Sequence, residues 1–162
     1  MAEQLGSDVP FFLYGGTALI EGRGENVTPL PSVPEMCIVL AVPSIEILPS
    51  KTRKLFQSLT TNHYTNGEIT RRFVDALTSG GVILSFFNTF ENVAYEMFPG
   101  LSVFKEHFLK LGAENVHLAG SGPVLFTVVE NLEAAEDLCR QLQKQRMNPL
   151  ITKTINGIEK IN

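Results

Sequence analysis

The sequence predicts an α+β protein of ferredoxin-like kind, a sandwich with an antiparallel sheet and helices packed on one face. Three observations carry that expectation. Residues 36–42, Met-Cys-Ile-Val-Leu-Ala-Val, form an unbroken apolar run stopped by Pro43, and the lack of alternation suggests a central strand or burial on both faces. Two β-branched apolar runs, 116–119 and 124–129, are parted by Gly120-Ser121-Gly122-Pro123 and read as strand, turn, strand. Apolar residues at helical spacing fill the stretches between, and the alternating Ile151-Thr152-Lys153-Thr154-Ile155 closes the series as an edge-type strand. Strand, helices, strand–turn–strand, helix, strand is the order such a sandwich requires.

The elements follow in chain order. In residues 8–30 the runs 9–14, 17–21 and 25–30 read as short strands with corners at Gly15-Gly16 and Gly22-Arg23-Gly24. Asp8 is set apart because Val9-Pro10 follows it and stiffens the backbone from which its carboxylate projects; it reads equally as a solvent-facing turn residue or a cap. Pro29, Pro31 and Pro34 make a stiff connector and the best internal boundary. After Pro49, Ser50-Lys51-Thr52-Arg53-Lys54-Leu55-Phe56 looks like a capped helix start, and residues 60–67 like a polar loop. Ile69, Phe73, Ala76 and Leu77 mark a helix that ends at Gly80-Gly81. Asn88 as N-cap with Glu91 three residues on has the pattern of a capping box, opening a helix that stops near Pro99. Leu101, Phe104, Phe108 and Leu111 form the stripe of the next helix, with His107, like His63, expected in solvent. Asn131 caps the last helix, whose apolar face is Leu132, Ala135, Leu138 and Leu142, with Glu136 and Arg140 spaced to pair.

Composition narrows the function classes. A chain of 162 residues, 44% hydrophobic and 19% charged, can bury a core without disulfides or a structural metal. A formal net charge of −4 argues against nucleic acid as a partner, since backbone phosphates call for a basic face. Cys37 and Cys139 are far apart and read as buried thiols of a reducing compartment; no His/Cys cluster suggests a metal site. No signal peptide and no run of membrane-spanning length is visible, so no membrane partner and a cytoplasmic address are expected. The feature with chemical potential is Gly120-Ser121-Gly122. Without Cβ atoms its N–H groups are unobstructed and suit a phosphate or carboxylate, although a tight turn between core strands is the plainer reading.

Several stretches also carry a resemblance. Gly6-Ser7-Asp8-Val9-Pro10-Phe11-Phe12, Gly15-Gly16-Thr17-Ala18 and Gly22-Arg23-Gly24-Glu25 come first. Asn88-x-Phe90-Glu91 before Pro99 follows, then Gly112-Ala113 leading into Leu118-Ala119-Gly120-Ser121-Gly122-Pro123. In this collinear order they resemble the 4-diphosphocytidyl-2-C-methyl-D-erythritol kinases of the GHMP kinase superfamily. The resemblance implies ATP-dependent, Mg²⁺-assisted phosphorylation of the 2-hydroxyl of a cytidine-diphosphate-linked methylerythritol, in the non-mevalonate isoprenoid route. It implies Asp8 as the catalytic carboxylate, Gly120, Ser121 and Gly122 as a wall of the ATP phosphate site, and Thr52 and Phe56 as part of the nucleoside pocket. Lys51 stands where the family has Ser, and residues 45–48 read as an insertion.

Such kinases carry an N-terminal domain with a Pro-x-x-x-Gly-Leu-Gly-Ser-Ser type ATP loop and a Lys near the chain start. That loop does not occur in this sequence. Residues 1–31 are therefore expected to be the last strands of the N-terminal GHMP domain and 34–162 the C-terminal domain, inactive without the ATP-loop domain. The exposed apolar segment 9–30, with Phe11, Phe12, Leu13 and Tyr14, is expected to support homodimerisation. The alternative is a stand-alone α+β ligand-binding or regulatory module on a kinase-derived scaffold.

Overall fold

The computed structural model describes residues 2–82 and 86–156. In chain order its first elements are α1 (Val9–Phe12), β1 (Ala18–Glu21), β2 (Asn26–Pro29), β3 (Cys37–Ala41), α2 (Lys51–Ser58) and α3 (Glu68–Thr78). The remainder are α4 (Glu91–Met97), α5 (Leu101–Lys110), β4 (His117–Leu118), β5 (Leu125–Val129), α6 (Leu132–Lys144) and β6 (Pro149–Lys153). They fall into two units. The first comprises the described residues within 1–35, 67–83 and 154–162, and the second those within 36–66 and 84–153. No helix among the described residues is long and apolar enough to cross a membrane.

In the first unit β1 and β2 form an antiparallel hairpin, with Ala18 opposite Pro29 and Glu21 opposite Asn26. The Glu25 carboxylate accepts its own backbone N–H and, across the turn, that of Arg23, and these hydrogen bonds hold its pKa below the ordinary carboxylate value. The run 9–14 is not a strand. Residues Val9–Phe12 form one helical turn, because Pro10 in the first turn presets the helical φ and lacks an N–H that would have gone unpaired there. Phe12, Leu13 and Tyr14, just beyond, are 65%, 71% and 53% exposed. α3 belongs to this unit, and its Leu77 is buried.

Gly24 fixes the approach of two backbone segments. It is buried at φ +110°, and a Cβ on it would lie 2.0 Å from the Ser7 carbonyl oxygen. A side chain here both strains the backbone, at about 1–2 kcal/mol, and pushes away the peptide that carries Asp8. Gly24→Ala is expected to shift the amide resonances of Ser7 and Asp8 while leaving residues 117–129 in place. Unmoved Ser7 and Asp8 signals would refute the close approach.

The second unit holds a four-stranded sheet in the order β4-β5-β3-β6, every neighbour antiparallel. Counted within the unit this is the split β-α-β-β-α-β connectivity of ferredoxin-like folds. The unalternating run becomes central β3, flanked by β5 and β6; of the alternating run 151–155 only Ile151–Lys153 lie in edge strand β6, which starts at Pro149. Val39 and Ala41 of β3, Leu118 of β4 and Leu125 of β5 turn to the helices and join one core with Leu55, Phe98, Leu101, Phe108 and Leu142. α6 packs against β3, β5 and β6, and Asn131 caps it as the sequence predicts, its Oδ1 accepting the Ala134 N–H at 2.9 Å. Cys139 is buried within this face, which pushes its thiol pKa up, while Cys37 is half-buried; both are unbridged.

Local polar pairings depart from expectation in three places. Arg140 pairs with Asp137, three residues before it, and not with Glu136. Ser50 does not cap α2: it sits at φ 57° and makes no side-chain cap bond. His63 and His107 are half-buried. The His63 Nδ1 accepts the Thr60 N–H at 3.1 Å and its carbonyl accepts from Asn92, while the His107 Nδ1 is shielded from solvent.

Candidate functional site

The turn between β4 and β5 is closed by two backbone bonds, Ala119 N–H to the Val124 carbonyl at 2.8 Å and Gly122 N–H to the Ala119 carbonyl at 2.9 Å. Gly122 adopts φ +65°, and a Cβ there would meet Leu118 Cδ1 at 2.7 Å, so the turn needs glycine for space as well as conformation. Gly120 and Ser121 stay at the surface and in the half-buried rim respectively.

Two side chains secure this turn from α4 and the segment before it. Asn88 Nδ2 donates to the Leu118 carbonyl at 2.9 Å and the Gly120 carbonyl at 2.7 Å, while its Oδ1 accepts the Phe90 N–H at 3.0 Å. Glu91 Oε1 accepts the Leu118 N–H at 2.9 Å and lies 3.3 Å from His117 Nδ1, and Lys105 Nζ stands 3.7 Å from its other oxygen. This replaces the expected capping box, since Phe90 occupies the N-cap position of α4. The cause is the position of β4 at the sheet edge: the outward N–H and C=O of Leu118 have no strand partner, and Asn88 and Glu91 supply one.

A third anchor comes from α2. Lys51 Nζ donates to the Ser121 carbonyl at 3.1 Å and to Ser121 Oγ at 2.6 Å, and the Thr52 hydroxyl lies 3.0 Å from the same Oγ. Partial burial pushes the Lys51 pKa below its ordinary value. Thr52 and the Gly120–Gly122 turn, two of the sequence-predicted site groups, are thus brought together. Phe56, one helical turn beyond Thr52, is 57% exposed and forms a T-shaped pair with Phe90, ring centroids 4.9 Å apart, outside the buried core. Lys51, Asn88 and Glu91 as turn anchors were not legible beforehand. The available signal for Lys51 was a basic residue at a helix start where Ser stands in the resembling pattern.

Asp8 belongs to the first unit. It occupies the N-cap position of α1 without a side-chain cap bond, and its carboxylate is exposed. It lines a cavity of about 420 Å³ with Arg23 and the apolar Phe11, Phe12 and Ile20. A carboxylate and a guanidinium share one recess there, beside an apolar wall. Among the described residues no group of three or more His, Cys, Asp or Glu side chains is placed to hold a metal.

The GHMP kinases C-terminal family model matches residues 71–148. A 4-diphosphocytidyl-2-C-methyl-D-erythritol kinase of Dehalococcoides mccartyi is 41% identical over 157 residues, which is 96% of this chain and 55% of that protein. The kinase of the same name from Listeria monocytogenes is 33% identical over 84% of this chain and 46% of its own length. The chain spans about half the length of the curated relatives it matches. A crystal structure of 4-(cytidine 5'-diphospho)-2C-methyl-D-erythritol kinase superposes with a TM-score of 0.74 at 25% identity, over 93% of this chain and 54% of that one. A homoserine kinase of Cytophaga hutchinsonii shares the fold, with a TM-score of 0.61 at 18% identity over 92% of this chain and 51% of its own. Residues 71–148 match a GHMP kinase C-terminal domain, and the likeness in sequence and fold to 4-diphosphocytidyl-2-C-methyl-D-erythritol kinases extends over 96% and 93% of the chain respectively.

Proposed function

We propose that the chain is the C-terminal part of a cytoplasmic, ATP-dependent kinase acting on the 2-hydroxyl of 4-diphosphocytidyl-2-C-methyl-D-erythritol, in non-mevalonate isoprenoid biosynthesis. The observation that carries this reading is 41% identity to a kinase of that name across 96% of the chain. Residues 1–31 end its N-terminal domain, and 34–162 form its C-terminal domain; residues 157–162 lie outside the described residues. Phosphoryl transfer asks for positioned charge around the moving phosphoryl group and an acceptor for the hydroxyl proton. Asp8, exposed and uncommitted to a cap, takes that proton or orients the hydroxyl. In the Gly120–Gly122 turn the Gly122 N–H is taken by the Ala119 carbonyl, and the Gly120 and Ser121 N–H groups are the donors offered to phosphate oxygens. The exposed Phe56 ring stacks on cytosine, while the Thr52 hydroxyl, bonded to Ser121, ties that wall to the turn. Among the described residues no carboxylate cluster is placed to hold Mg²⁺, so the ion would come with the nucleotide, held by phosphate oxygens, and would neutralise phosphate charge there.

A chimera tests the reading. Residues 1–162 replace the matching part of the Dehalococcoides mccartyi kinase, and ATP-dependent phosphorylation of the cytidine diphosphate substrate is measured. The chimera is expected to turn over, and the 162-residue chain by itself is expected not to. A folded but inactive chimera favours the stand-alone binding module. The exposed Phe12, Leu13 and Tyr14 lead us to propose further that the chain self-associates through residues 9–30. Light scattering on the purified chain should give a dimer, and Leu13→Glu a monomer; a monomeric unmodified chain would remove the proposal.

A further inference from the structure

We infer that Lys51 is a positioning residue of the Gly120–Gly122 turn, holding the Ser121–Thr52 hydroxyl pair so that one hydroxyl hydrogen faces a diphosphate oxygen. The inference rests on reading that turn as a phosphate wall and adds a residue that departs from the family pattern.

The hydrogen-bond inventory carries it. Lys51 is a donor only, and two of its three N–H groups go to Ser121, one to the carbonyl and one to Oγ at 2.6 Å. Ser121 Oγ also meets the Thr52 hydroxyl at 3.0 Å. A hydroxyl has one hydrogen and two acceptor lone pairs. With Lys51 filling one lone pair of Ser121, the Ser–Thr contact uses one of the pair's two hydrogens. Whichever way that contact runs, one hydroxyl hydrogen is left to donate; with Thr52 donating to Ser121 it lies on the Ser121 oxygen that the ammonium contacts, and in the reverse direction on Thr52, one bond further from the ammonium. The pair therefore keeps one hydroxyl hydrogen to donate, which a phosphate oxygen can accept.

Helix stability gives no reason for Lys51. The first turn of α2 contains Lys51, Arg53 and Lys54 and no acidic residue, the reverse of what the positive end of a helix favours. The cation is accounted for by its two bonds to Ser121, 70 residues away along the chain.

The test is a titration of the purified 162-residue chain with inorganic pyrophosphate, followed through the amide resonances of residues 119–122 and 124. The expected result is saturable shifts on this turn. Lys51→Met should weaken pyrophosphate about tenfold, Lys51→Arg should restore most of the affinity, and Thr52→Val should lose less than Lys51→Met. Thermal unfolding runs in parallel, because a merely structural role lowers the midpoint without the Arg rescue of binding. The inference is overturned if the unmodified chain leaves the turn unshifted, if Lys51→Met binds pyrophosphate normally, or if Lys51→Arg fails to rescue. The two ideas fail separately. An inactive chimera with Lys51-dependent pyrophosphate binding removes the kinase reading alone, and an active chimera with Lys51-independent binding removes this inference alone.

Discussion

Replacing Asp8 with Asn in the active chimera is expected to lower kcat about 10²- to 10⁴-fold, the usual worth of a positioned general base. KM for the cytidine diphosphate substrate should change little, since the lost interaction belongs to the transition state. The structure makes this a clean substitution. The carboxylate is exposed and makes no cap bond to α1, so the amide leaves no buried partner unpaired. Thermal stability should therefore stay within about 0.5 kcal/mol of the parent. A variant that retains turnover within a few-fold would show that Asp8 neither accepts the proton nor orients the hydroxyl. Arg23 shares its cavity, which makes the recess one where an anionic group and a hydroxyl can be held together.

Phe108→Ala is expected to cost about 3–5 kcal/mol, by lost transfer energy and the cavity left behind. Phe108 on α5 is fully buried, in the cluster that joins β3, β4 and β5 to α2, α4, α5 and α6. That loss is a large fraction of the roughly 5–15 kcal/mol typical of a folded domain. Val103 lies on the same helix and is half exposed, so Val103→Ala serves as the control, within about 0.5 kcal/mol. Urea unfolding of both variants decides the matter. A loss below about 1 kcal/mol for Phe108→Ala would mean that the second unit is not organised around this core.

Much of the second unit was open to reading from the chain alone. An unalternating run such as 36–42 has to be shielded from water on most sides, and it became the central strand. The alternation of 151–155 marked the edge, and Asn131 before an amphipathic stripe marked a helix start. The failures have separate causes. Asn88 and Glu91 have the spacing of a local cap, but β4 presents unpaired backbone groups at the sheet edge and takes both side chains. The run 9–14 has strand composition, yet Pro10 and a short segment favoured a helical turn.

What the sequence by itself determined is whatever depends on local order: the apolar periodicities, the glycines that permit left-handed turns, the motif series that resembles a kinase family, and Asp8 standing before a proline. The partners of polar side chains were decided only by the tertiary structure. Lys51 and Thr52 reach Ser121 across 70 and 69 residues, and Glu91 reaches Leu118 across 27. Hydrogen-bonding capacity is a property of the residue, but the partner that meets it is chosen by which edges and turns the packed core leaves unpaired.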